Sequence, residues 1–312
     1  NTARGGNGGA TFSTGGAGGG AGFGGGIFNR SGSMTLTHMT IAGNAVTGGT
    51  GTVAGVTTDN GAADGGGVYH LGINLGAVSA TSTSASSTAS LTLANSVIAN
   101  STAGSDLVTH NLTTTVGAAT VNVTRQGGNL VRTSSTVGTV VASGPAALTA
   151  DPLLAASPAA NGASASSPFT LFPTSSASPI INAGDPAYAV LPAFATGAPL
   201  TDQRRSGYGR TSGPAGNVNP DLGAVEVQFA PSVTISAPTA TAVCTNAAAT
   251  VAYTVTYVNA PAIAHSTTTN ATGGASATVT STGNGVTRTV TFTAQTVAAS
   301  GTLGFTVPAG SA

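Results

Sequence analysis

Across 312 residues the chain has no tryptophan, no lysine and a single cysteine, and only 5% of its residues are charged. One cysteine excludes an internal disulfide, so stability has to come from packing and hydrogen bonds rather than from cystine staples. Cys244 is expected to be a small buried hydrophobe at the start of a strand, with an intermolecular disulfide as the lesser alternative. Eight arginines balance eight carboxylates, and this zero net charge gives no field that would draw in nucleic acid or an anionic membrane. The same neutrality removes the repulsion that keeps copies apart, which favours self-association. No apolar run reaches the ~18 residues that a spanning helix requires, so no membrane span is expected. The chain opens at Asn1 with neither methionine nor leader, and is expected to be processed or to be part of something longer.

What the chain does have is 46 glycines and 40% hydrophobic residues, with a mean hydropathy of +0.25 and 4% aromatics. That composition describes a core of alanine, valine, isoleucine and leucine, which suits stacked β-coils. Gly24-Gly25-Gly26-Ile27-Phe28 returns 41 positions later as Gly65-Gly66-Gly67-Val68-Tyr69, so the glycine-rich opening belongs to a repeat and is not a linker. Met34-Thr35-Leu36 and Leu91-Thr92-Leu93 lie 57 positions apart and alternate with the period of a strand. Stacking such strands at about 4.8 Å, with Asn44, Asn95 and Asn100 at the corners, makes a solenoid of parallel coils. His38 is expected at a corner or facing outward. No second histidine or cysteine stands at metal-ligand spacing from it.

Two insertions, Thr47–Asp64 and Gly76–Ala89, read as surface excursions from one edge of the solenoid. Asp59, Asn60, Gly61 and Asp64 supply hard oxygens of the kind calcium takes, but two carboxylates are few and a solvated turn is the stronger expectation. Gly20, Gly22 and Gly25 have the spacing of a dinucleotide fingerprint without the preceding strand, following helix or later acidic residue, so no cofactor is expected. Catalysis on a polysaccharide would need two carboxylates on one groove. The candidates Asp59, Asp64, Asp106 and Asp151 fall in loops or beside a proline, and Asp106 with His110 is the one pair near enough in sequence to weigh. Its expected role is a hydrogen bond at a coil edge, and the chain is not expected to be an enzyme.

Charge gathers in one place. Six of the sixteen charged side chains, Asp202, Arg204, Arg205, Arg210, Asp221 and Glu226, lie within residues 201–226, and they are expected to pair in a structural clasp because lone buried charges are costly. The proline-rich stretch from Asp151 onward should end regular strand stacking and fold across the last coil as a cap, tied by Asp202 and Asp221 with Arg204 or Arg210. Asp151-Pro152-Leu153-Leu154, Ser178-Pro179-Ile180-Ile181-Asn182-Ala183-Gly184-Asp185, Thr201-Asp202-Gln203-Arg204 and Asp221-Leu222-Gly223-Ala224-Val225-Glu226 follow one another in that order. Together they resemble the C-terminal signature of the bacterial choice-of-anchor Q surface proteins, with Arg205 where that pattern has glycine. The resemblance implies a right-handed parallel β-helix in the bacterial exterior.

From Pro231 onward short alternating strands such as Thr250–Tyr257 and Arg288–Thr293, separated by glycine, asparagine and proline, indicate a β-sandwich. That part resembles bacterial Ig-like modules, although residues 227–312 hold no carboxylate for a calcium bridge, and the absence of lysine excludes a Lys–Asn crosslink. The expected organisation is therefore all-β: a parallel β-helix over 1–150, its C-terminal cap over 151–228 and an Ig-like sandwich over 229–312. The expected role is an extracellular, cell-surface structural or adhesive protein without cofactor or metal, with a polysaccharide hydrolase or lyase as the alternative. Its partners would be further copies of itself, neighbouring domains, or a surface glycan or protein. The glycine-rich start reads as an open coil that a neighbour's Ig-like strand Gly304–Pro308 would cover, giving a head-to-tail filament.

Overall fold

A computed structural model describes residues 1–9, 17–52, 59–74, 87–115, 117, 119–189, 200–205, 207–212, 219–229, 232–241, 249–258, 267–273, 276–284, 286–295 and 301–307. Cys244, Pro192, Pro199, Pro308, the centre of the Thr47–Asp64 insertion and most of the Gly76–Ala89 insertion lie outside the described residues. The chain is all-β, with 47% of it in strands and 2% helical. It divides into two compact units, residues 1–211 with 218–227, and residues 228–312 with 212–217.

The first unit opens with β1 (Thr2–Arg4) and β2 (Gly22–Phe23), followed by a tier of four short strands. These are β3 (Ile27–Arg30), β4 (Ser33–Thr37), β5 (Thr40–Ala42) and β6 (Ala45–Thr47). After β7 (Ala63–Asp64), β8 (Val68–Ile73) and β9 (Thr88–Ala99) form a second tier. A third consists of β10 (Leu107–Leu112) and β11 (Thr120–Val131), and a fourth of β12 (Ser134–Val137) and β13 (Val141–Ser143). The tiers join through parallel ladders in the orders β3-β8-β10-β12 and β4-β9-β11-β13, with β5 added on the later half of β9. Register carries each side chain onto its equivalent one tier on: Ile27 on Val68, Leu107 and Ser134, and Met34 on Leu91, Val123 and Ala142. The alternating inward residues Leu36, Ile41, Val68, Leu91, Leu93, Ile98, Leu107, Val123 and Val131 thereby form one apolar core between the ladders. Burial of each such side chain stabilises by about 1.5–3 kcal/mol.

The strands turn at left-handed corners. His38 (φ 50°), Asn95 (φ 47°) and Gly127 (φ 59°) occupy the same corner on three successive tiers, and Asn100 (φ 58°) makes the next corner of the second tier. Asn44 does not take the corner conformation expected of it. Gly43 does (φ 65°), and Asn44 is buried, its Oδ1 accepting from the Asn1 amino group at 3.0 Å.

The glycine-rich segments pack as bare backbone. Gly20 N donates to Gly6 O at 2.7 Å, Gly49 N to Gly20 O at 2.8 Å and Gly61 N to Gly49 O at 2.8 Å, so pieces far apart in sequence are bonded laterally. A Cβ on Gly49 would stand 1.8 Å from Gly6 O, and one on Gly61 would stand 1.8 Å from Gly20 O. Only glycine permits that approach. The described ends of the Thr47–Asp64 insertion therefore do not bulge into solvent as expected but complete this bundle, since backbone groups that no side chain shields pair best with one another.

Residues 151–227, which include β14 (Ala159–Ala160) and β15 (Phe169–Thr170), lie elsewhere than expected. Their described residues in the first unit run along the flank of the tiers: Ile180 and Leu222 pack on Val97, Ala99 and Leu130, which point outward from the second and third tiers. The last tier, which the segment was expected to cap, stays open, with Val137 44%, Val141 59% and Leu148 42% exposed. The reason lies in Val97-Ile98-Ala99 and Leu130-Val131, which are apolar on both faces and so need cover on both.

The second unit is antiparallel. β16 (Ser232–Ile235) and β17 (Thr250–Val258) precede β18 (Thr268–Ala271), β19 (Ala277–Thr282), β20 (Thr287–Ala294) and β21 (Leu303–Thr306). One sheet runs β16-β17-β20-β19 and another β18-β21. Val255, Tyr257, Val290 and Phe292 are buried between them, with Leu303 and Phe305 of β21 packed on top.

Candidate functional site

The charge cluster is the most highly organised polar feature of the first unit. Asp202, Arg204, Arg210, Asp221 and Glu226 are all buried, Glu226 completely, so the stretch that concentrates charge in sequence concentrates it in the interior. Asp202 sits at its centre. Its Oδ2 accepts from Arg204 Nη2 at 2.6 Å, from Arg204 Nε at 2.9 Å and from the Glu226 amide at 2.8 Å, while its Oδ1 accepts from the Arg204 amide at 2.7 Å. Arg204 also donates through Nη2 to the Glu226 carbonyl. Its guanidinium lies 4.0 Å from the Tyr208 ring centre and 5.5 Å from that of Phe172. The loop from Asp202 to Tyr208 closes back on itself through Asp202 N to Tyr208 O at 2.9 Å, and that closure puts the pair on the inner side.

The other members take different parts from those expected. Asp221 does not hold Arg204; its Oδ1 accepts from the Asn182 amide at 2.6 Å and its Oδ2 from the Val227 amide at 2.6 Å. Burial raises its pKa against the pull of those amides and of Arg210. Arg210 donates to the carbonyls of Gly223 (2.7 Å) and Ala224 (3.0 Å), and burial lowers its pKa while the carboxylates of Asp202, Glu226 and Asp221 act to raise it. Glu226 Oε2 accepts from the Asp221 amide at 2.8 Å. Arg205 stays outside the cluster, exposed and left-handed (φ 76°). A glycine would take that conformation without strain.

The cluster seats the flank segment on the tiers. Ala224 N donates to Thr40 Oγ1 at 2.8 Å on the first tier. On the second tier Asn95 is the main anchor, with Nδ2 donating to Asp185 O at 2.9 Å and Oδ1 accepting from Asp185 N at 2.9 Å. His38 lies beneath Tyr188, to whose carbonyl its Nε2 donates at 3.2 Å. Burial first, and then the positive charge of Arg210, lower the His38 pKa to about 4, so the imidazole is neutral at ordinary pH. Neither His38 nor Asn95 announces these contacts by composition. The signal was their position at left-handed corners, where a side chain projects toward whatever covers the flank.

The residues weighed for catalysis, metal or cofactor are held apart or already occupied. Asp106 accepts from Ser101 N (2.7 Å), Thr133 N (3.1 Å) and Thr133 Oγ1 (2.7 Å), whereas His110 Nδ1 bonds Tyr69 Oη at 2.7 Å. Asp106 and His110 therefore do not form a pair. Asp64 Oδ1 accepts from Gly65 N (2.8 Å) and Ser105 N (2.9 Å), and Asn60 Oδ1 accepts from Gly51 N (2.9 Å). Among the described residues no three histidine, cysteine or acidic side chains gather as a metal would need. Asp151 faces outward and pairs with Arg132 at 2.8 Å. Gly20, Gly22 and Gly25 donate their amides to the carbonyls of Gly6, Ala62 and Gly65 at 2.7, 2.8 and 3.2 Å. A groove of about 460 Å³ beside the first tier is lined by Asn1, Ile27, Met39, Phe169, Leu171 and Gln203 among others, none of them with a titratable side chain.

No protein-family model, curated protein or solved structure matches the chain.

Proposed function

We propose that the chain is a structural or adhesive protein of a bacterial surface, of the choice-of-anchor Q type. Its first unit is read as a right-handed parallel β-helix with a lateral clasp, and its second as an Ig-like sandwich. The observation that carries the reading is where the ionisable groups are spent. Asp202, Arg204, Asp221 and Glu226 are buried and bonded to backbone or to one another, and the groove beside the first tier is lined by no acidic, basic or cationic side chain. A hydrolase or lyase needs such groups facing its substrate. Parallel tiers, a bonded flank and zero net charge suit a rigid strut that associates with further copies outside the cell, whether in a filament or within a longer surface protein.

The reading is tested by incubating the purified chain with pectin, alginate and related polymers. No reducing ends and no unsaturated products are expected. Sustained release of either, retained through a second purification, would overturn the structural assignment in favour of a polysaccharide-active enzyme.

A further inference from the structure

Asp151 and Asp185 each precede a proline, and an aspartyl–prolyl bond has a chemistry of its own. Proline has no N–H, so the following residue cannot attack the aspartate side chain to close a succinimide. The carboxyl can instead attack the carbonyl carbon of its own residue, expelling the nitrogen of a tertiary amide. The two sites are built differently. Asp151 is exposed, with Oδ2 paired to Arg132 at 2.8 Å and Oδ1 accepting from Leu153 N at 2.9 Å, and among the described residues no donor reaches its carbonyl. The half-buried Asp185 has its carbonyl oxygen between two donors, Asn95 Nδ2 at 2.9 Å and Tyr188 N at 3.1 Å. Its Oδ1 accepts from Ala187 N at 2.8 Å, which leaves Oδ2 without a partner among the described residues. Asn95 is fully buried, and its Oδ1 takes the amides of Asp185 (2.9 Å) and Gly128 (3.2 Å), so its Nδ2 is held toward the Asp185 carbonyl.

We propose that the Asp185–Pro186 bond is a self-processing site, cut by the aspartate's own carboxyl, with Asn95 Nδ2 and the Tyr188 amide as the oxyanion hole. Oδ2 attacks the Asp185 carbonyl carbon, and the charge that develops on the carbonyl oxygen meets donors already at 2.9 and 3.1 Å, the range in which such donors act. The carboxyl proton passes to the Pro186 nitrogen, the C–N bond breaks, and Asp185 is left as a cyclic anhydride. Water then opens the anhydride. The net change is hydrolysis by that one water, giving a chain that ends at Asp185 and another that begins with the free amine of Pro186. Nucleophile and carbonyl belong to one residue, so no entropy is spent in bringing them together. Pro186 is exposed, which gives the water its access. The cut alone does not release either product, because Asn182 N to Asp221 Oδ1 (2.6 Å), Gly184 N to Pro220 O (2.8 Å) and Leu222 N to Ile180 O (2.9 Å) all bridge it. The result is a clasp made of two chains. This activity goes beyond the structural reading of the protein and does not depend on it.

The test is incubation of the purified full chain at the lowest pH at which it keeps its folded circular-dichroism spectrum, beside the same chain unfolded in urea at that pH. Fragments are identified by mass and by N-terminal sequencing. Those meeting at Asp185 and Pro186 are expected to accumulate about 10²-fold faster in the folded chain, because the oxyanion hole exists only there. The Asp151–Pro152 bond has no such donors and is expected to gain nothing from folding. Asp185→Asn removes the nucleophile and should abolish the cut. Asn95→Ala should lose most of the advantage of the folded chain, and since Asn95 also anchors the flank segment, the comparison of folded and unfolded parent decides the matter without any variant. Equal rates at Asp185–Pro186 in the two parent samples would overturn the proposal. So would faster cleavage at Asp151–Pro152 in the folded chain, or an Asp185→Asn chain cut as fast as the parent.

Discussion

Arg204→Ala strikes the clasp at its centre. Arg204 is 7% exposed and Asp202 4%, and the substitution removes the side-chain bonds to Asp202, of which the shortest are 2.6 Å and 2.9 Å to Oδ2, and those to the carbonyls of Glu226 and Asn161, together with the cover over Tyr208. Removing one partner of a buried pair costs about 3–5 kcal/mol, chiefly because the remaining charge is stranded. Asp202 would keep the amides of Arg204 and Glu226, which places the cost toward the lower end of that range. For a unit of this size each kcal/mol lowers the melting temperature by about 2–4 °C, so a drop of about 6–15 °C is expected in calorimetry. A double-mutant cycle with Asp202→Asn separates stranding from lost packing. Neutralising the carboxylate in the Arg204→Met background should recover part of the loss, although Asp202→Asn alone is destabilising. A melting temperature for Arg204→Ala within a degree of the exposed control Thr37→Ala would refute the clasp.

Gly49→Ala should destabilise by about 1–3 kcal/mol or prevent folding, because its Cβ would lie 1.8 Å from Gly6 O, while Gly6→Ala, whose Cβ meets nothing within 4 Å, should be neutral or slightly stabilising. Equal urea midpoints for the two variants would show that the bundle does not form. His38 binds its proton less readily folded, at a pKa of about 4 against the ordinary 6.5. Its contribution is therefore fully present above about pH 6.5 and is lost as pH falls toward 4, by up to about 3 kcal/mol. Asp221, whose pKa is raised, acts in the opposite sense on acidification, so the measurement is the difference between parent and His38→Gln. Parallel stability profiles for the two proteins from pH 7 to 4 would remove His38 from the account.

The strands of the parallel tiers were legible because Leu91-Thr92-Leu93 and Val121-Asn122-Val123 alternate with a period of two, and the clasp was legible because charge is so scarce elsewhere. The flank position of residues 151–227 was less so, since it depends on outward apolar residues such as Val97 and Leu130 that interrupt the alternation without saying what covers them. The glycine bundle left no side-chain pattern at all. Its contacts are carbonyl against α-carbon, and a run such as Gly18-Gly19-Gly20 reads the same whether solvated or close-packed. The direct partners of Asp221 were illegible for a related reason: its oxygens bond the amides of Asn182 and Val227, which counting arginines does not find, and Arg210 acts on it only through its charge.

The lateral course of the clasp segment also bears on cooperativity. An array of stacked repeats linked only to nearest neighbours frays from its ends, because each tier can detach at the cost of one interface. Here one segment is fastened to Thr40, Asn95 and Leu130 on three consecutive tiers, through bonds from Ala224 and to Asp185 and through the packing of Ile180 and Leu222 on Leu130. Opening any of those tiers must also lift the strap from the others, which turns three separable steps into one transition. Among the described residues the tier from Ser134 onward shows no such fastening, and with Val137, Val141 and Leu148 exposed it can exchange its amides without disturbing the rest.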